Sequence, residues 1–428
     1  MLTLSHFILF TLIIYVIFQL YKDLKYLDSK SIFYLHAIIT FSFIYAFNIY
    51  EYNQYNSLSY GSDSDYFLNI LNNIKSIGFE KSQEFNYLVK EKKFLHILFY
   101  YPLFHWFNLP VFSSFLVLSL NLLIYIKLMQ SSNYLIGNKF KLKSKLYLSV
   151  LAPLVIISFL RDLIILFLMI ESLVYIKKYF LYKKKKHFYF FLFFSLLVLF
   201  LRPVFSFVMF ISFAVANYNV KSLFLLVTLP VLLLFYYFES FSYSLLGGLL
   251  ILQPDDLIST GLDENVIDKD LFSQQFYSFT DLIKFLFIKF FMGFYKMILS
   301  PVFSSYLNLF SDNFSKQFYF GLDRKILLVL DSFIYNFIIL PIFISKAWHL
   351  IKLNLKNGYL IEKMILIIYL FITTLYAIKF FGVRSFKIDF ILHFLMILFI
   401  SKYSFRSKNI YKVTLFSMIA INILNIII

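Results

Sequence analysis

Long apolar runs alternate with short polar segments over most of the chain. Each run approaches the roughly 20 residues that an α-helix needs to cross a bilayer. The pattern therefore predicts an all-α, polytopic integral membrane protein with about 12 transmembrane helices, in a range of roughly 11 to 14. The predicted spans cover residues 3–20, 31–49, 111–127, 146–160, 163–176, 188–201, 204–216, 222–239, 326–345, 364–380, 388–401 and 413–428.

Two stretches do not fit a simple span. Residues 94–110 are apolar but aromatic and hold two histidines, which is more typical of an interfacial or re-entrant helix. Residues 282–309 are long enough to cross a membrane, yet they hold three lysines. For this second stretch, interfacial, re-entrant and crossing arrangements all stay open.

Lysine positions predict the orientation, because loops that face the cytoplasm are enriched in positive charge. The segments predicted to be cytoplasmic are 21–30, 127–145, 177–187, 217–221, 346–363 and 402–412. Alternation places two longer loops on the outer face, a first periplasmic loop at 50–110 with its interfacial helix and a second periplasmic region at 240–325. The short turns at 161–162, 202–203 and 381–387 fall on the same face.

Composition agrees with this pattern and narrows the partners. With 61% hydrophobic and 15% charged residues and a mean hydropathy of +0.78, residues 1–428 are expected to form a single transmembrane domain, not a soluble one. The net charge of +17 is explained by cytoplasmic lysines beside anionic lipid, so we expect no nucleic-acid partner. The absence of cysteine excludes disulfides, thiol chemistry and cysteine-ligated metals.

The stretch from Leu148 to Ile176 contains two apolar runs that meet at the adjacent pair Arg161 and Asp162. Ionisable residues at the edge of a membrane segment cost several kcal/mol unless a partner or a function holds them. We therefore predict a helical hairpin with this pair at its tip. Glu171, within the second run, is expected to pair with the two lysines that follow that run or to snorkel towards them.

Arginine is the informative cation, because only five of the 40 basic residues are arginines. Arg161, Arg202, Arg324 and Arg384 lie at predicted outer ends of spans, whereas Arg406 lies in a predicted cytoplasmic segment. Guanidinium groups bind phosphate bidentately and keep their charge at low dielectric, which ammonium does less well. The four outer arginines therefore predict a diphosphate site of the kind that an isoprenoid diphosphate requires.

The alternative for these arginines is a structural ion pair with a nearby acid. The candidate pairs are Arg161 with Asp162, Arg324 with Asp323 and Arg384 with Asp389. Asp389 and His393 also fall on one helical face at i, i+4 close to Arg384, which makes both residues secondary site candidates.

A short polar segment in the first outer loop, Tyr60-Gly-Ser-Asp-Ser-Asp-Tyr66, carries the main acidic candidates. Asp63 and Asp65 have the chemistry to chelate a divalent cation or to act as a general base that deprotonates a sugar hydroxyl. A turn is the alternative, since Gly, Ser and Asp are turn formers. Tyr66 is a secondary candidate. No other metal ligand set and no cofactor are predicted.

These motifs and their order resemble bacterial surface-polysaccharide polymerases of the Wzy type and, more loosely, GT-C-fold glycosyltransferases. The motifs are Gly61-Ser-Asp-Ser-Asp-Tyr66 after the second span, Ser158-Phe-Leu-Arg-Asp162 at a hairpin tip, Leu201-Arg-Pro203 at the next outer turn and Gly382-Val-Arg384 before a late span. The acidic element departs from the Asp-Glu pair that is common in GT-C enzymes.

The resemblance implies a membrane glycosyltransferase of the bacterial inner membrane. Such an enzyme polymerises undecaprenyl-diphosphate-linked oligosaccharide repeat units of an O-antigen or capsule at the outer face, alongside other polysaccharide-assembly membrane proteins. In that interpretation Asp63, Asp65 and Asp162 are the catalytic candidates, and the four outer arginines bind the substrate diphosphate.

Other functions of the same chemistry stay open. An O-antigen ligase is expected to have one dominant outer loop, whereas two outer loops share that length here. A flippase for lipid-linked oligosaccharides is expected to hold charge deep within many spans, where Glu171 is nearly alone in this sequence. Glycine-interrupted paired spans, expected of an inverted-repeat transporter, are also missing.

Overall fold

The computed structural model describes residues 62–90, 94–106, 110–137, 152–157, 161–217, 330–331, 333–352, 359–380, 386–403 and 407–427, together with a few isolated positions between 11 and 46. All of the regular elements in these ranges are helical, and no strand occurs in them. The all-α prediction is therefore confirmed for the described part of the chain. The predicted span at 222–239 and the region 240–325 lie outside it.

The helices of the described residues follow one another in chain order. They are α1 (Ser62–Ile77), α2 (Gln83–Lys90), α3 (Leu95–Trp106), α4 (Pro110–Ile136), α5 (Ala152–Ile156), α6 (Asp162–Tyr182), α7 (Lys185–Leu199), α8 (Pro203–Asn217), α9 (Leu340–Lys352), α10 (Leu360–Phe380), α11 (Phe386–Lys402) and α12 (Lys408–Ile427). A π-helical turn, Tyr335–Ile339, leads directly into α9.

One of the described helices meets the length and hydropathy requirements for a membrane span, over Phe115–Ile136 of α4. Pro203–Ala216 and Tyr335–Ile351 are shorter apolar helices. Helix α6 is about 31 Å long at 1.5 Å per residue, which matches a hydrocarbon core of about 30 Å. It also carries Asp162, Glu171, Lys177 and Lys178, so the way these charges are neutralised decides where it can lie.

Helix α6 lies at the centre of the described bundle. It packs against α4, α7, α11 and α5, and all 15 residues from Asp162 to Ile176 are buried. A helix that is buried on every side belongs to a core, not to a surface. The predicted hairpin turn is in the right place, since α5 ends at Ile156 and α6 begins at Asp162.

The predicted end of this span at residue 176 was wrong, because α6 continues to Tyr182. Lys177 Nζ donates to the carbonyl oxygens of Tyr134 and Leu135 at 2.6 and 3.0 Å. These carbonyls belong to the last turn of α4, where no intrahelical donor is available. Lys177 therefore acts as a cap between helices, and α6 ends only where Lys183 adopts a left-handed conformation (φ 54°).

The predicted loop 127–145 was wrong at its beginning, because α4 continues to Ile136 and contains Lys127. The Lys127 side chain is buried, and its Nζ lies 4.0 Å from Glu171 Oε1. Glu171 also accepts hydrogen bonds from Ser131 and, at 2.7 Å, from Tyr15. The expected partners of Glu171 after residue 176 were therefore wrong, since the neutralising lysine comes from α4.

A similar correction applies to α9, which extends past the predicted loop boundary at residue 346. Lys346 is buried, and its Nζ donates to the carbonyl oxygens of Ile400, at 2.7 Å, and Tyr403. Both carbonyls lie at the end of α11, so a lysine again caps the terminus of a neighbouring helix.

Helices α6 and α11 run parallel. Lys402, at the end of α11, lies 3.9 Å from Glu362 at the beginning of α10, and both residues interact electrostatically with Lys177 near the end of α6. The beginning of α11, with Asp389, therefore lies towards the same end of the bundle as Asp162.

Helix α4 reaches well beyond α6 at that end. Because Ser131 bonds to Glu171 and the two helices run parallel, Asn121 lies near the level of Asp162. Pro110 then lies roughly 15 Å beyond this level. Helix α3 packs against α4, where Tyr100 bonds to Asn121, and is buried from His96 to Phe104. Whether residues 94–110 form an interfacial or a re-entrant helix stays a prediction.

A column of three serines joins α6, α7 and α8. Ser172 Oγ lies 2.6 Å from Ser195 Oγ and 3.2 Å from the carbonyl oxygen of Phe191. Ser206 Oγ donates to the carbonyl oxygen of Ser195 at 2.7 Å. Small side chains let helices approach closely, and their hydroxyls bond across the contact. These bonds fix the positions of α6, α7 and α8 relative to one another along their axes.

Candidate functional site

The turn between α7 and α8 places Arg202 next to the beginning of α6. Helix α7 ends with the amides of Leu201 and Arg202 both donating to the carbonyl oxygen of Val198, at 3.1 and 2.8 Å. Pro203 then begins α8, where its missing N–H and its fixed φ suit the first helical position. Because residues before proline avoid helical backbone angles, the chain turns at Arg202.

Arg202 and Asp162 form an ion pair across this turn. Arg202 Nη1 lies 3.2 Å from Asp162 Oδ1. The Asp162 side chain is 4% exposed, whereas the Arg202 side chain is 25% exposed. The carboxylate is therefore sealed within the bundle, while the guanidinium reaches the surface. The structural alternative, a pair of Asp162 with the adjacent Arg161, is replaced by a pair with Arg202 from the next hairpin.

Arg161 lies beside this pair and is also partly exposed. Its Nη1 donates to the carbonyl oxygen of Leu201 at 3.4 Å, and its guanidinium carbon lies 6.0 Å from the centre of the Phe67 ring. The two arginines thus converge on one turn, although 41 positions separate them in the sequence. Whether the pair binds a diphosphate, as the sequence predicts, stays a prediction.

The electrostatics of this end favour an anion. Helices α6 and α8 both begin here, so their partial positive charges add to those of Arg161 and Arg202. Asp162 lies between these features and pairs with one of the two guanidinium groups. A partly exposed pair of guanidinium groups above two helix N-termini is well suited to phosphate oxygens.

A second layer of hydrogen bonds supports the turn from within the bundle. Tyr100 of α3 donates to Asn121 Oδ1 at 2.7 Å, and Asn121 Nδ2 donates to the carbonyl oxygen of Ile156 at 2.8 Å. Tyr100 and Asn121 are fully buried. The network joins α3, α4 and the end of α5, so it fixes the chain just before Arg161. Nothing in the local sequence of these residues indicated this role.

Asp63 and Asp65 lie in the first turn of α1, because the helix begins at Ser62. The turn alternative was therefore wrong from Ser62 to Tyr66. Carboxylates in a first turn suit the helix dipole. Positions two apart do not share a helix face, whereas position 63 shares a face with Phe67, four residues later. Phe67 in turn lies with its ring centre 6.0 Å from the guanidinium carbon of Arg161.

Tyr66 lies at the edge of the site and is 42% exposed. Partial burial raises the pKa of its hydroxyl, and nearby Tyr87 and Glu84 raise that pKa further, whereas Arg161 lowers it. These residues therefore lie within electrostatic range of one another. Sequence reasoning did not single out Glu84 or Tyr87, because an acid and a tyrosine in an outer loop are unremarkable in this composition.

His393 lies four residues after Asp389 on α11, and it also contacts Asp331. Its Nδ1 lies 3.0 Å from Oδ1 of Asp331, and its ring stacks on Tyr335 in the π-helical turn. His393 is buried one turn, about 6 Å, further along α11 than Asp389. The sequence did hold a signal for Asp331, which is an acid within a predicted span.

Several predicted residues lie outside the described part of the chain. Arg324 and Arg384 belong to this group, so whether they join Arg161 and Arg202 stays a prediction. Within the described ranges, no three His, Asp or Glu side chains are arranged to hold a metal ion.

The sequence suggested that Glu171 is nearly the only charged residue deep within the spans, but the structure buries others as well. Lys127 and Asp331 are also buried, so the described bundle holds the ion pair Lys127–Glu171 and the contact between Asp331 and His393. The sequence signal for Lys127 was misread, because a lysine at the end of an apolar run was taken as the start of a loop.

Comparison with protein-family models, curated proteins and solved structures finds no match for this chain.

Proposed function

We propose that the protein is a membrane glycosyltransferase that polymerises undecaprenyl-diphosphate-linked oligosaccharide repeat units of a surface polysaccharide. The observation that carries the proposal is the convergence of Arg161 and Arg202 on one turn, above the beginnings of α6 and α8. In a chain whose default cation is lysine, two adjacent guanidinium groups favour a ligand that needs planar, bidentate contacts.

The proposed setting is the bacterial inner membrane, crossed about 12 times, with this turn at the outer face. The internal pairing of charges supports such a setting. In α6, Asp162 is paired with Arg202, Glu171 with Lys127, and Lys177 with carbonyl groups of α4. A helix whose charges are neutralised inside the bundle presents little charge to lipid.

The proposed reaction transfers a saccharide from the lipid carrier to an acceptor hydroxyl. Arg161 and Arg202 bind the diphosphate and stabilise the negative charge that develops as the bond from the sugar C1 to the diphosphate oxygen breaks. A carboxylate of α1, with Asp63 placed better than Asp65, accepts the proton of the attacking hydroxyl. The new glycosidic bond forms at C1, and the carrier leaves as the diphosphate.

In this proposal Asp162 acts as a positioning residue, not as the base. Its carboxylate is buried and already accepts a hydrogen bond from Arg202. A buried carboxylate in such a pair is poorly placed to receive a proton from a substrate hydroxyl. It is well placed to hold the guanidinium in one orientation.

The test replaces single arginines with lysine and measures polysaccharide ladders together with protein levels in the membrane. Loss of a charge-assisted bidentate contact costs roughly 1.5 to 3 kcal/mol, or about 10- to 150-fold in the relevant step. We expect Arg161→Lys, Arg202→Lys and Arg384→Lys to impair polymer formation severely without altering insertion. Arg324→Lys shows the defect only if the region 240–325 folds over the site, and the matched control Arg406→Lys is silent. Full activity in the first three variants would overturn the proposal.

A flippase for the same lipid-linked oligosaccharides is the second candidate. The buried pairs Lys127–Glu171 and Asp331–His393 favour it, because ionisable residues inside a membrane bundle often mark a transport path. The two functions differ in the leaflet where substrate accumulates when the gene is deleted. Accumulation of lipid-linked units in the outer leaflet supports the polymerase, whereas accumulation in the inner leaflet supports the flippase. Other GT-C-type transferases and an O-antigen ligase share the first outcome, and the ladder pattern distinguishes them from a polymerase.

A further inference from the structure

A buried pair of an acid and a histidine has no role in the proposed transfer reaction. Nδ1 of His393, on α11, lies 3.0 Å from Oδ1 of Asp331, which precedes the π-helical turn by one turn of helix. The two side chains are 5% and 7% exposed. A buried pair of this kind is weak evidence for stability, because apolar side chains of similar volume often serve as well. Ionisable residues inside an apolar bundle indicate a function instead.

The ring of Tyr335 makes a second contact with His393. The two rings are stacked, with 4.3 Å between their centres and 22° between their planes. The Tyr335 hydroxyl lies 3.4 Å from the Tyr369 hydroxyl of α10, and both tyrosines are buried, so the ring of Tyr335 is held in place. The face of an aromatic ring attracts a cation. His393 thus has a carboxylate at the edge of its ring and an aromatic face above it, and both contacts suit an imidazolium.

The hydrogen bond within the pair determines where a proton enters. An ionised carboxylate only accepts hydrogen bonds, so Nδ1 of a neutral His393 carries the hydrogen and Nε2 carries the lone pair. A proton from water therefore binds at Nε2 and converts the imidazole to an imidazolium. The pair changes from one negative charge to no net charge, which lowers the cost of keeping the carboxylate buried. The two residues titrate as one unit.

The charged residues of the neighbouring helices have their own places in the bundle. Helix α11 packs against the π-helical turn, α4, α5, α6, α9 and α10, and the π-helical turn also packs against α12. Lys127 of α4 pairs with Glu171 of α6, and Asp162 pairs with Arg202. A group of charged residues lies at the far end of α11, and it consists of Lys177, Lys346, Glu362, Lys402, Lys408 and Lys412.

Other titratable groups of these elements are compatible with a proton at His393. Tyr335 and Tyr369 are the phenols of the π-helical turn and α10, and α4 contributes the buried Tyr125. Asp389 is partly buried and precedes His393 by one turn on the same face of α11. Its negative charge suits a proton at His393. His393 also lies only about 6 Å from Asp389 along the helix, and so near the beginning of α11.

We infer that Asp331 and His393 form a proton-binding site inside the bundle, which takes up one proton from water as an imidazolium–carboxylate pair stacked on Tyr335. The site is separate from the arginine turn and does not rest on the proposed glycosyl transfer. Release of the proton leaves a buried carboxylate beside the π-helical turn that leads into α9. The site therefore couples the acidity of the surrounding water to the packing of this turn against α11.

The test follows the imidazole nitrogens of the full-length protein in detergent by 15N NMR, and its probe is the proton itself. The 15N chemical shifts distinguish the Nδ1–H tautomer, the Nε2–H tautomer and the imidazolium, and the spectrum of His393→Gln identifies the signals of His393. The titration runs from about pH 5 to about pH 8, where histidine ordinarily changes its charge. We expect the imidazolium at the acidic end of this range and the Nδ1–H tautomer at the basic end.

Three variants test the two contacts of the ring. Asp331→Asn removes the carboxylate, so we expect it to weaken proton binding roughly tenfold or more. Tyr335→Leu removes the aromatic face and weakens proton binding about threefold, whereas Tyr335→Phe keeps the ring and stays within about twofold of the wild type. A purely structural role for Tyr335 would not separate these two variants in the titration.

His349 is the control within the same spectrum. Its Nδ1 lies 2.8 Å from the Tyr403 hydroxyl, so its titration is unchanged by Asp331→Asn. The proposed site is overturned if wild-type His393 keeps one form over the whole range, since the pair is then a fixed structural contact. It is also overturned if His393 titrates in Asp331→Asn as it does in the wild type. If Asp331→Asn does not accumulate in the membrane, equal titrations of Tyr335→Leu and the wild type overturn it.

Discussion

Arg202 Nη1 lies 3.2 Å from Asp162 Oδ1, so the first residue of α6 holds the guanidinium that precedes α8. If Asp162 positions Arg202, Asp162→Asn loosens the guanidinium and raises KM for the lipid-linked substrate by about 10-fold while kcat falls less. Steady-state kinetics on purified enzyme give this split, with membrane insertion as the control. A base would show the reverse, with kcat lost and KM unchanged, and that result would return Asp162 to the catalytic role.

The two acids of α1 are expected to differ. Position 63 shares a helix face with Phe67, which faces Arg161, whereas position 65 does not. Asp63→Asn therefore lowers polymer formation by about 100-fold or more, as expected when a general base is removed, and Asp65→Asn lowers it less than 10-fold. Polysaccharide chain-length distributions measure both variants. Ladders of wild-type length in both variants would mean that neither carboxylate takes part in the reaction.

The buried pair Lys127–Glu171 gives a prediction about stability. Glu171→Gln leaves the Lys127 ammonium buried without its carboxylate, which costs roughly 3 to 5 kcal/mol. Glu171→Gln combined with Lys127→Met removes both charges and recovers most of that loss. Thermal unfolding of the detergent-solubilised protein measures the three variants as a double-mutant cycle. Additive losses would mean that the two charges do not stabilise each other.

The orientation of the bundle is open to a clean chemical test, because the chain contains no cysteine. Lys81→Cys, in the exposed turn between α1 and α2, should react with a membrane-impermeant maleimide in intact spheroplasts. Lys184→Cys, in the exposed turn between α6 and α7, should react only after the membrane is opened. Labelling of both from the same side would overturn the outer-face site.

His187 reports on the charge of the turn between α6 and α7. Burial lowers its pKa, and the positive charges of Lys186, Lys178 and Lys184 lower it further. The protonated imidazolium is the disfavoured form, so the titration midpoint lies below the ordinary value of about 6.5. In vesicles with anionic phospholipid the midpoint should rise, because headgroup charge offsets the lysines. NMR titration in anionic and zwitterionic vesicles measures the difference, and equal midpoints would mean that this turn lies away from the lipid surface.

The sequence predicted one turn at residues 161–162, because two apolar runs meet there. It predicted a second turn at 202–203, because a proline follows the end of an apolar run. It could not assign the partner of Asp162, since the choice between Arg161 and Arg202 depends on how two hairpins pack. Pairings across the bundle, such as Asp331 with His393, likewise depend on how the helices pack, and the local sequence pattern does not predict them.

The errors in helix length have a common physical cause. Lys127, Lys177 and Lys346 were each taken to begin a loop, yet all three lie inside helices. Each lysine finds a partner across the bundle: Lys127 meets a carboxylate, and the other two cap carbonyls at the end of a neighbouring helix. Whether a lysine lies inside a helix or in a loop therefore depends on partners across the bundle, which the local sequence does not show.

The serine column that joins α6, α7 and α8 has a mechanical consequence for the proposed reaction. Ser195 lies about 10 Å along the chain axis from Arg202, so a tilt of α7 by about 6° at that serine would move the guanidinium by about 1 Å. Displacements of this size are enough to slow a reaction by about 100-fold. The position of the Arg202 guanidinium at the turn therefore depends on three hydroxyl contacts inside the bundle.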